Sequence, residues 1–148
     1  MDSKREVLNN LLVVIFNQIL NIEERALKKG SFDNLTMSEL HVIDAIGYQT
    51  TKPMSAIAAK LDITVGTLTI AMNNLVKKGY VTRVRGEEDR RMVLICLTEL
   101  GQNAFSHHEA FHEEMINFTM SSLDAQESDV LVKSLSKMTD YFNQKYQK

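Results

Sequence analysis

Arginines are concentrated in one short segment of the chain. Residues 83–91, RVRGEEDRR, hold four arginines with three acidic residues between them: Arg83, Arg85, Arg90 and Arg91, with Glu87, Glu88 and Asp89. Guanidinium groups beside a turn can contact phosphates or enter a narrow minor groove, whose negative potential attracts arginine. The glycine provides the bend and the acids can orient the arginines. The segment therefore predicts a contact with nucleic acid.

The charge of the rest of the chain supports this interpretation. The formal net charge is −2 and the sequence pI is about 6.1. Residues 77–91 hold six Lys/Arg and three Asp/Glu, which leaves 11 basic and 16 acidic residues elsewhere. A basic patch on an acidic body is expected when one surface meets phosphate and the remainder does not.

A second motif that could do chemistry is H-E-x-x-H, formed by His108, Glu109 and His112. Two histidines four residues apart on a helix can bind zinc, with the glutamate as base. However, they flank an apolar stripe, and no third ligand follows at metalloprotease spacing. We predict that the protein is not an enzyme. Three roles stay open: packed histidines near the core and dimer interface, a regulatory metal site, or coupling of a ligand to DNA affinity.

Length and composition predict one globular domain. The chain has 148 residues, 44% hydrophobic and 24% charged, which are ordinary globular values. The single cysteine, Cys96, cannot form an internal disulfide, which fits a reducing compartment, and we interpret it as a small apolar filler. No segment reaches the roughly 20 apolar residues of a membrane helix, and no signal-peptide cleavage site follows LLVVIF (11–16). We expect a cytoplasmic protein without a membrane partner.

The first part of the chain predicts three helices. Apolar residues recur in steps of three and four from Leu8 to Ala26, and further apolar residues give this helix a second side that requires another partner, which can be another chain. Gly30 ends it. TMSE (36–39) predicts a capping box that opens a helix to about residue 46. A loop follows at 47–53, and MSAIAAKL (54–61) is a short helix.

The central part predicts a helix and a hairpin. Residues 64–78 form a helix with Val65, Leu68 and Met72 on its apolar face, and Gly79 ends it. YVTRVR (80–85) and RMVLICL (91–97) alternate like strands around a turn.

The last part predicts two long helices. Thr98 is the expected N-cap of a helix to about Phe118, although Gly101 weakens its first turn. Asp124 and Glu127 resemble a capping box that opens the final helix.

This order of elements indicates a fold class that is mainly α with a small antiparallel β wing, a winged helix-turn-helix. A 15-residue helix spans roughly 22 Å and can lie in a major groove about 12 Å wide. Its small, hydroxyl and amide side chains can approach base edges closely. The hairpin can reach the neighbouring minor groove.

Residues 73–101, NNLVKKGYVTRVRGEEDRRMVLICLTELG, resemble the MarR family of bacterial transcription factors. They match the end of its recognition helix, a glycine, a strand, an Asp-x-Arg wing, a strand and Leu-Thr-x-x-Gly. The resemblance implies a homodimer formed by residues 1–30 and 99–148, a DNA-binding region at 31–98 and a palindromic operator. It also implies that Arg91 enters the minor groove and that Asp89 orients it.

The residues predicted to contact DNA lie on the exposed side of the fourth helix and in the hairpin. They are Thr64, Gly66, Thr67, Thr69, Ile70, Asn73, Lys77, Arg83, Arg85, Asp89, Arg90 and Arg91. Lys78 is a further predicted phosphate contact.

Shorter segments, such as FNQILNIEE (16–24) and SELHVIDAIG (38–47), are similar to MarR-type repressors of fatty-acid biosynthesis genes. In that subgroup a long-chain acyl group on acyl carrier protein is the co-repressor and tightens operator binding. The resemblance makes the basic run Arg25, Lys28 and Lys29 a candidate dock for this acidic partner.

A metal ion or a small aromatic molecule is the alternative effector. A MarR-type zinc repressor takes ligands from the helix that carries His108 and His112, and here His41 and Glu24 would complete the set. A metal-dependent enzyme is the less favoured class.

Overall fold

A computed structural model describes residues 3–146 of the chain. The helices are α1 (Ser3–Lys29), α2 (Met37–Ile46), α3 (Met54–Leu61), α4 (Val65–Lys78), α5 (Glu99–Ser121) and α6 (Ala125–Tyr146), and the strands are β1 (Thr51–Pro53), β2 (Val81–Arg85) and β3 (Val93–Leu97). The chain divides into two compact units, Met1–Glu109 and Ala110–Lys148. The predicted division into dimerisation helices and a DNA-binding region is functional, and it stays a prediction.

Local hydrogen bonds explain where the helices of the first unit begin and end. The Thr36 side chain accepts from the Glu39 backbone N–H, and the Glu39 carboxylate accepts from the Thr36 N–H, which confirms the predicted capping box. At the end of α4, Gly79 adopts φ 85°, a left-handed conformation that glycine adopts without steric cost. The chain therefore turns sharply from α4 into β2.

The core of the first unit lies between α2, α3, α4 and the sheet. Its fully buried side chains come from all of these elements and include Ile43, Ile57, Leu68, Met72 and Ile95. Burying an aliphatic side chain of this size contributes about 1.5–3 kcal/mol relative to leaving it exposed. The core therefore holds α4 with one side inward and leaves its other side to solvent.

The sheet has three antiparallel strands in the order β1-β3-β2, whereas the sequence predicted a two-stranded hairpin. The predicted loop at 47–53 contains β1, which pairs with β3 through Thr51 opposite Cys96. Pro53 ends this edge strand, a position where the missing N–H costs no ladder bond. The strand was not predicted because three residues are too few to show alternation. Cys96 is partly buried in β3.

The start of α5 is fixed to the end of α4. The Thr98 hydroxyl donates to the Gly79 carbonyl over 2.6 Å and accepts from the Gly101 N–H over 3.2 Å, as predicted for an N-cap. The Thr98 N–H donates to the Tyr80 carbonyl over 3.0 Å. These bonds place the helix after the wing directly against the junction of α4 and β2.

Within the first unit, only part of the main apolar repeat of α1 turns inward: Leu12, Ile19 and Ala26 are partly buried. Glu23 and Leu27 are buried, whereas Leu8, Leu11 and Ile15 are each about half exposed, at 58%, 51% and 47%. An apolar face of this extent is typical of a surface that another chain covers.

The second unit contains the end of α5 and the whole of α6. The Glu127 carboxylate accepts from the Asp124 N–H over 2.9 Å, and the Asp124 carboxylate accepts from the Glu127 N–H over 2.8 Å, which confirms the second capping box. Along one side of α6, Leu131 and Met138 are partly buried while Leu135 is exposed.

None of the helices in residues 3–146 is by itself long and apolar enough to cross a membrane. By length and composition alone, α3 and α4 would qualify together as a bent pair.

Candidate nucleic-acid interface

The second helix of the helix-turn-helix, α4, presents a polar face to solvent. It follows α3 after a turn of three residues and a change of direction of 109°, within the range usual for this motif. Leu68, Met72 and Leu75 are buried. Every α4 residue predicted to contact DNA is exposed: Gly66, Thr67, Thr69, Ile70, Asn73 and Lys77. Val65, predicted on the inner side, is exposed because it lies in the first turn, beyond the core.

All three hydroxyl groups predicted to contact DNA are already engaged with the protein, those of Thr64 and Thr67 with each other over 2.9 Å. Thr64 is the N-cap of α4, and its hydroxyl oxygen accepts from the Thr67 N–H over 3.1 Å. The Thr69 hydroxyl donates to the Val65 carbonyl over 2.8 Å. Each oxygen keeps acceptor capacity for a base or phosphate partner.

The side-chain amide of Asn73, farther along the same face of α4, is hydrogen-bonded to the wing. Arg83 Nη2 on β2 donates to Asn73 Oδ1 on α4 over 2.5 Å, and both side chains are exposed. The sequence indicated each residue separately as a DNA contact but gave no sign that they touch.

The wing turn between β2 and β3 is closed by local hydrogen bonds. The Gly86 N–H donates to the Met92 carbonyl over 2.9 Å. The Asp89 carboxylate accepts from the Arg91 N–H over 3.0 Å and lies 3.7 Å from the Arg91 Nε. The Arg91 side chain is 96% exposed. Asp89 thus contacts Arg91 as expected of an orienting partner, and the guanidinium points away from the protein; its place in the minor groove stays a prediction.

Unlike Lys77, Lys78 forms side-chain bonds within the protein. Its ammonium donates to the buried Glu39 carboxylate over 2.8 Å and to the Asn34 carbonyl over 2.5 Å. The Tyr80 hydroxyl donates to the Asn34 side-chain oxygen over 2.5 Å. Lys78 thus stabilises the fold through these bonds, and its role as a phosphate contact stays a prediction. Sequence adjacency to Lys77 concealed the difference, because neighbouring helix residues lie about 100° apart around the axis.

Replacing Lys78 by alanine is expected to lower the free energy of unfolding by about 1–3 kcal/mol, because Glu39 loses a charged donor in a buried setting. Replacing exposed Lys77 by alanine should change stability by less than about 0.5 kcal/mol but reduce the salt dependence of DNA binding. Urea unfolding and a salt titration of duplex binding measure the two effects. Equal stability of both variants would contradict the assignment.

A buried charged cluster lies in the first unit, on α1, α2 and α5. His108 Nε2 is 3.1 Å from Glu23 Oε1, and His108 Nδ1 is 2.6 Å from Asp44 Oδ2. Burial lowers the pKa of His108, but hydrogen bonds and charges from Asp44 and then Glu23 outweigh it, so the pKa lies above its ordinary 6.5. The cluster therefore favours an imidazolium that donates to two carboxylates.

Within the first unit, the structure pairs His108 with Glu23 and Asp44 rather than with the predicted Glu24 and His41. The carboxylates at His108 come from Glu23 and Asp44, whereas Glu24 pairs with Lys28 over 3.0 Å on the surface. His41, Arg25 and Lys29 are exposed. His112 lies in the second unit. Glu23 could have been found from its spacing, since it lies four residues from both Ile19 and Leu27 on one helix side.

Comparisons with known proteins agree with this geometry. Residues 35–93 match the MarR family. The chain is 33% identical over 125 residues to the HTH-type transcriptional regulator SarZ of Staphylococcus haemolyticus, covering 84% of this chain and 82% of SarZ. The chain belongs to the MarR family. This MarR protein is also 28% identical over 134 residues to the uncharacterized HTH-type transcriptional regulator YpoP of Bacillus subtilis, covering 88% and 90% of the two chains.

Among solved structures, this MarR protein is similar to Streptococcus pneumoniae FabT in complex with DNA. The TM-score is 0.86 and the identity 34%, with 95% of this chain and 98% of FabT covered. The winged helix-turn-helix fold is thus confirmed, and the protein is a DNA-binding transcriptional regulator rather than an enzyme. The H-E-x-x-H motif belongs to a helix of a regulator.

Proposed function

We propose that this MarR protein is a homodimeric repressor that binds a palindromic operator and controls fatty-acid biosynthesis genes, with long-chain acyl-acyl carrier protein as its co-repressor. The observation that carries the DNA-binding part is the exposed polar face of α4 beside an arginine wing. Because α4 is held by its buried side, its free side can enter a major groove while Arg91 reaches the adjacent minor groove.

Homodimerisation is supported by the exposed apolar side of α1. Leu8, Leu11 and Ile15 present a continuous apolar strip outside the core, and dimerisation through the terminal helices is typical of the MarR family. Two symmetric copies would present two α4 helices to DNA, which matches a two-fold operator.

Control of fatty-acid genes is supported by likeness to FabT and by the segments at 16–24 and 38–47. The candidate dock for acyl carrier protein consists of Arg25, Lys28 and Lys29. Arg25 and Lys29 are exposed, and Lys28 forms an ion pair with Glu24. An acidic partner would compete with Glu24 for Lys28, so the proposal places the stronger contacts at Arg25 and Lys29.

The testing experiment is a gel-shift titration on promoters of the protein's own and neighbouring genes. Long-chain acyl-acyl carrier protein is expected to tighten binding, and unacylated carrier protein is the control. If Zn²⁺ tightens operator binding instead, or a small aromatic acid releases it, the proposed effector is wrong and the proposed role as a repressor still holds. Absence of binding to any duplex at low salt would overturn the proposed function.

Replacing Arg91 by alanine is expected to weaken operator binding by about 1–3 kcal/mol, roughly 5- to 150-fold, because a minor-groove contact is lost while the fold is kept. Asp89→Ala should cost less, since it removes orientation only. Arg90→Ala is the matched control for charge, with a smaller loss. Fluorescence anisotropy at fixed salt measures all three, beside thermal melts, and equal losses for Arg90 and Arg91 would contradict the role of Arg91.

A further inference from the structure

The hydrogen bond between Arg83 and Asn73 joins the wing to the face of α4 that meets DNA in the proposed function. Sheet register explains it. Arg83 pairs with Ile95, which is fully buried, and cross-strand partners project from the same sheet face. Arg83 therefore leaves the sheet on the side that packs toward the protein interior, and its guanidinium reaches Asn73 at the edge of that packing.

The chemistry of the two groups fixes which way the amide of Asn73 faces. An amide has an oxygen that accepts and an NH₂ group that donates, whereas a guanidinium only donates. The Asn73 oxygen must therefore face Arg83, and the Asn73 NH₂ group must face away from that contact. A charged donor makes this bond stronger than a neutral one.

This orientation bears on base recognition. Asparagine usually recognises adenine with two bonds, accepting from N6 and donating to N7. Guanine N7 and O6, and thymine O4, present only acceptors in the major groove. An amide whose oxygen accepts from Arg83 offers its NH₂ group to such acceptors, while its oxygen faces the wing rather than adenine N6.

We infer that Arg83 is a positioning residue that presents Asn73 to DNA as a donor, so that guanine or thymine is favoured over adenine at the base pair that Asn73 contacts. This rests on the proposed function, because it requires α4 to lie in a major groove. It assigns to Arg83 a role in sequence specificity besides any contact with phosphate.

The experiment is selection from a random duplex pool with the full-length protein, followed by competition between operators that differ at one base pair. Asn73→Ala identifies the base pair at which discrimination disappears. Wild type should prefer guanine or thymine there. Arg83→Met should shift the preference toward adenine by about fivefold or more, the low end for one bidentate contact.

Two further variants separate orientation from charge. Arg83→Gln retains a donor for the Asn73 oxygen without the charge, so it should keep the wild-type base preference while binding more weakly. Arg85→Met removes an exposed arginine from the same strand. Within residues 3–146, Arg85 forms no hydrogen bond with Asn73, so its loss should weaken binding to all duplexes equally. Thermal melts confirm that each variant folds.

A shifted preference in Arg83→Met alone supports the inference. A uniform loss in Arg83→Met, adenine preferred by wild type, or no base pair affected by Asn73→Ala would overturn it and leave the repressor standing. If wild type enriches no sequence at all, the proposed function fails together with the inference.

Discussion

Replacing Gly101 by alanine is expected to lower the free energy of unfolding by about 3 kcal/mol, the upper part of the usual range for overpacking. A Cβ at this position would lie 2.1 Å from the Tyr80 carbonyl oxygen, 3.1 Å from the Tyr80 carbonyl carbon and 3.2 Å from the Leu97 Cβ. The first neighbour is backbone, so no side-chain rotation relieves the overlap.

The surroundings of Gly101 also resist a small shift of the helix. The Tyr80 carbonyl already accepts from the Thr98 N–H, and the Thr98 hydroxyl bonds to both Gly79 and Gly101. Moving α5 outward would stretch these bonds at once. Alanine raises helix propensity by about 1 kcal/mol over glycine, which offsets only part of the overlap.

Gly66→Ala is the matched control. Gly66 also lies in the first turn of a helix, but the nearest atom to an added Cβ is the Thr64 Oγ1 at 3.9 Å. Alanine there should stabilise by up to about 1 kcal/mol. Urea unfolding of both variants beside wild type measures the contrast. A Gly101→Ala variant that melts at or above wild type would show that α5 can retreat freely.

Gly101 also shows how far sequence reasoning reaches. Its place in Leu-Thr-x-x-Gly indicated the family, and the same glycine was expected to weaken α5 because of its low helix propensity. In the structure this glycine instead favours the fold, because α5 approaches the Tyr80 backbone so closely that residue 101 has no room for a side chain. The apolar periodicity of a helix does not reveal where it approaches a segment that is distant in sequence.

The elements were predicted where local chemistry decides them. Thr36 with Glu39, and Asp124 with Glu127, start helices through bonds between residues three apart. The exposed face of α4 followed from helical periodicity. By contrast, β1 depends on pairing with a strand more than forty residues later, and such contacts are not encoded by any short window.

Long-range polar contacts account for most of what sequence reasoning missed at the candidate site. Lys78 meets Glu39 across 39 residues and His108 meets Glu23 across 85. Periodicity places these side chains on one side of their helices, but only the packed structure shows which charge lies opposite. The cluster at His108 is the more deeply buried of the two, because the His108 side chain is 8% exposed and the Lys78 side chain 28%.

Replacing His108 by glutamine is expected to lower the free energy of unfolding by about 3–5 kcal/mol near pH 6, the usual loss when one member of a buried charged pair is removed. The Glu23 side chain is 5% exposed and loses its 3.1 Å contact with the imidazolium, while Asp44 loses a 2.6 Å contact. Because these groups lie on α1, α2 and α5, the loss loosens three helices together.

The effect depends on pH in a direction fixed by the pKa. The pKa of folded His108 is raised above 6.5 because, although burial lowers it, Asp44 and Glu23 favour the charged form more strongly. A raised pKa means that the folded state binds the proton more tightly than the unfolded state. The stabilisation is therefore complete below about pH 6.5 and is lost as pH rises through the folded-state pKa.

Urea unfolding of wild type and His108→Gln from about pH 6 to pH 9, the range that spans histidine titration, tests this directly. The difference in stability should be largest at the acidic end and shrink toward the alkaline end. His41→Gln, which replaces an exposed histidine on α2, is the matched control for the substitution itself. The double variant Glu23→Gln with His108→Gln should recover part of this stability, because it also removes the more deeply buried of the two carboxylates that face His108. A pH-independent difference, or no recovery in the double variant, would show that His108 stabilises the fold by packing rather than by charge.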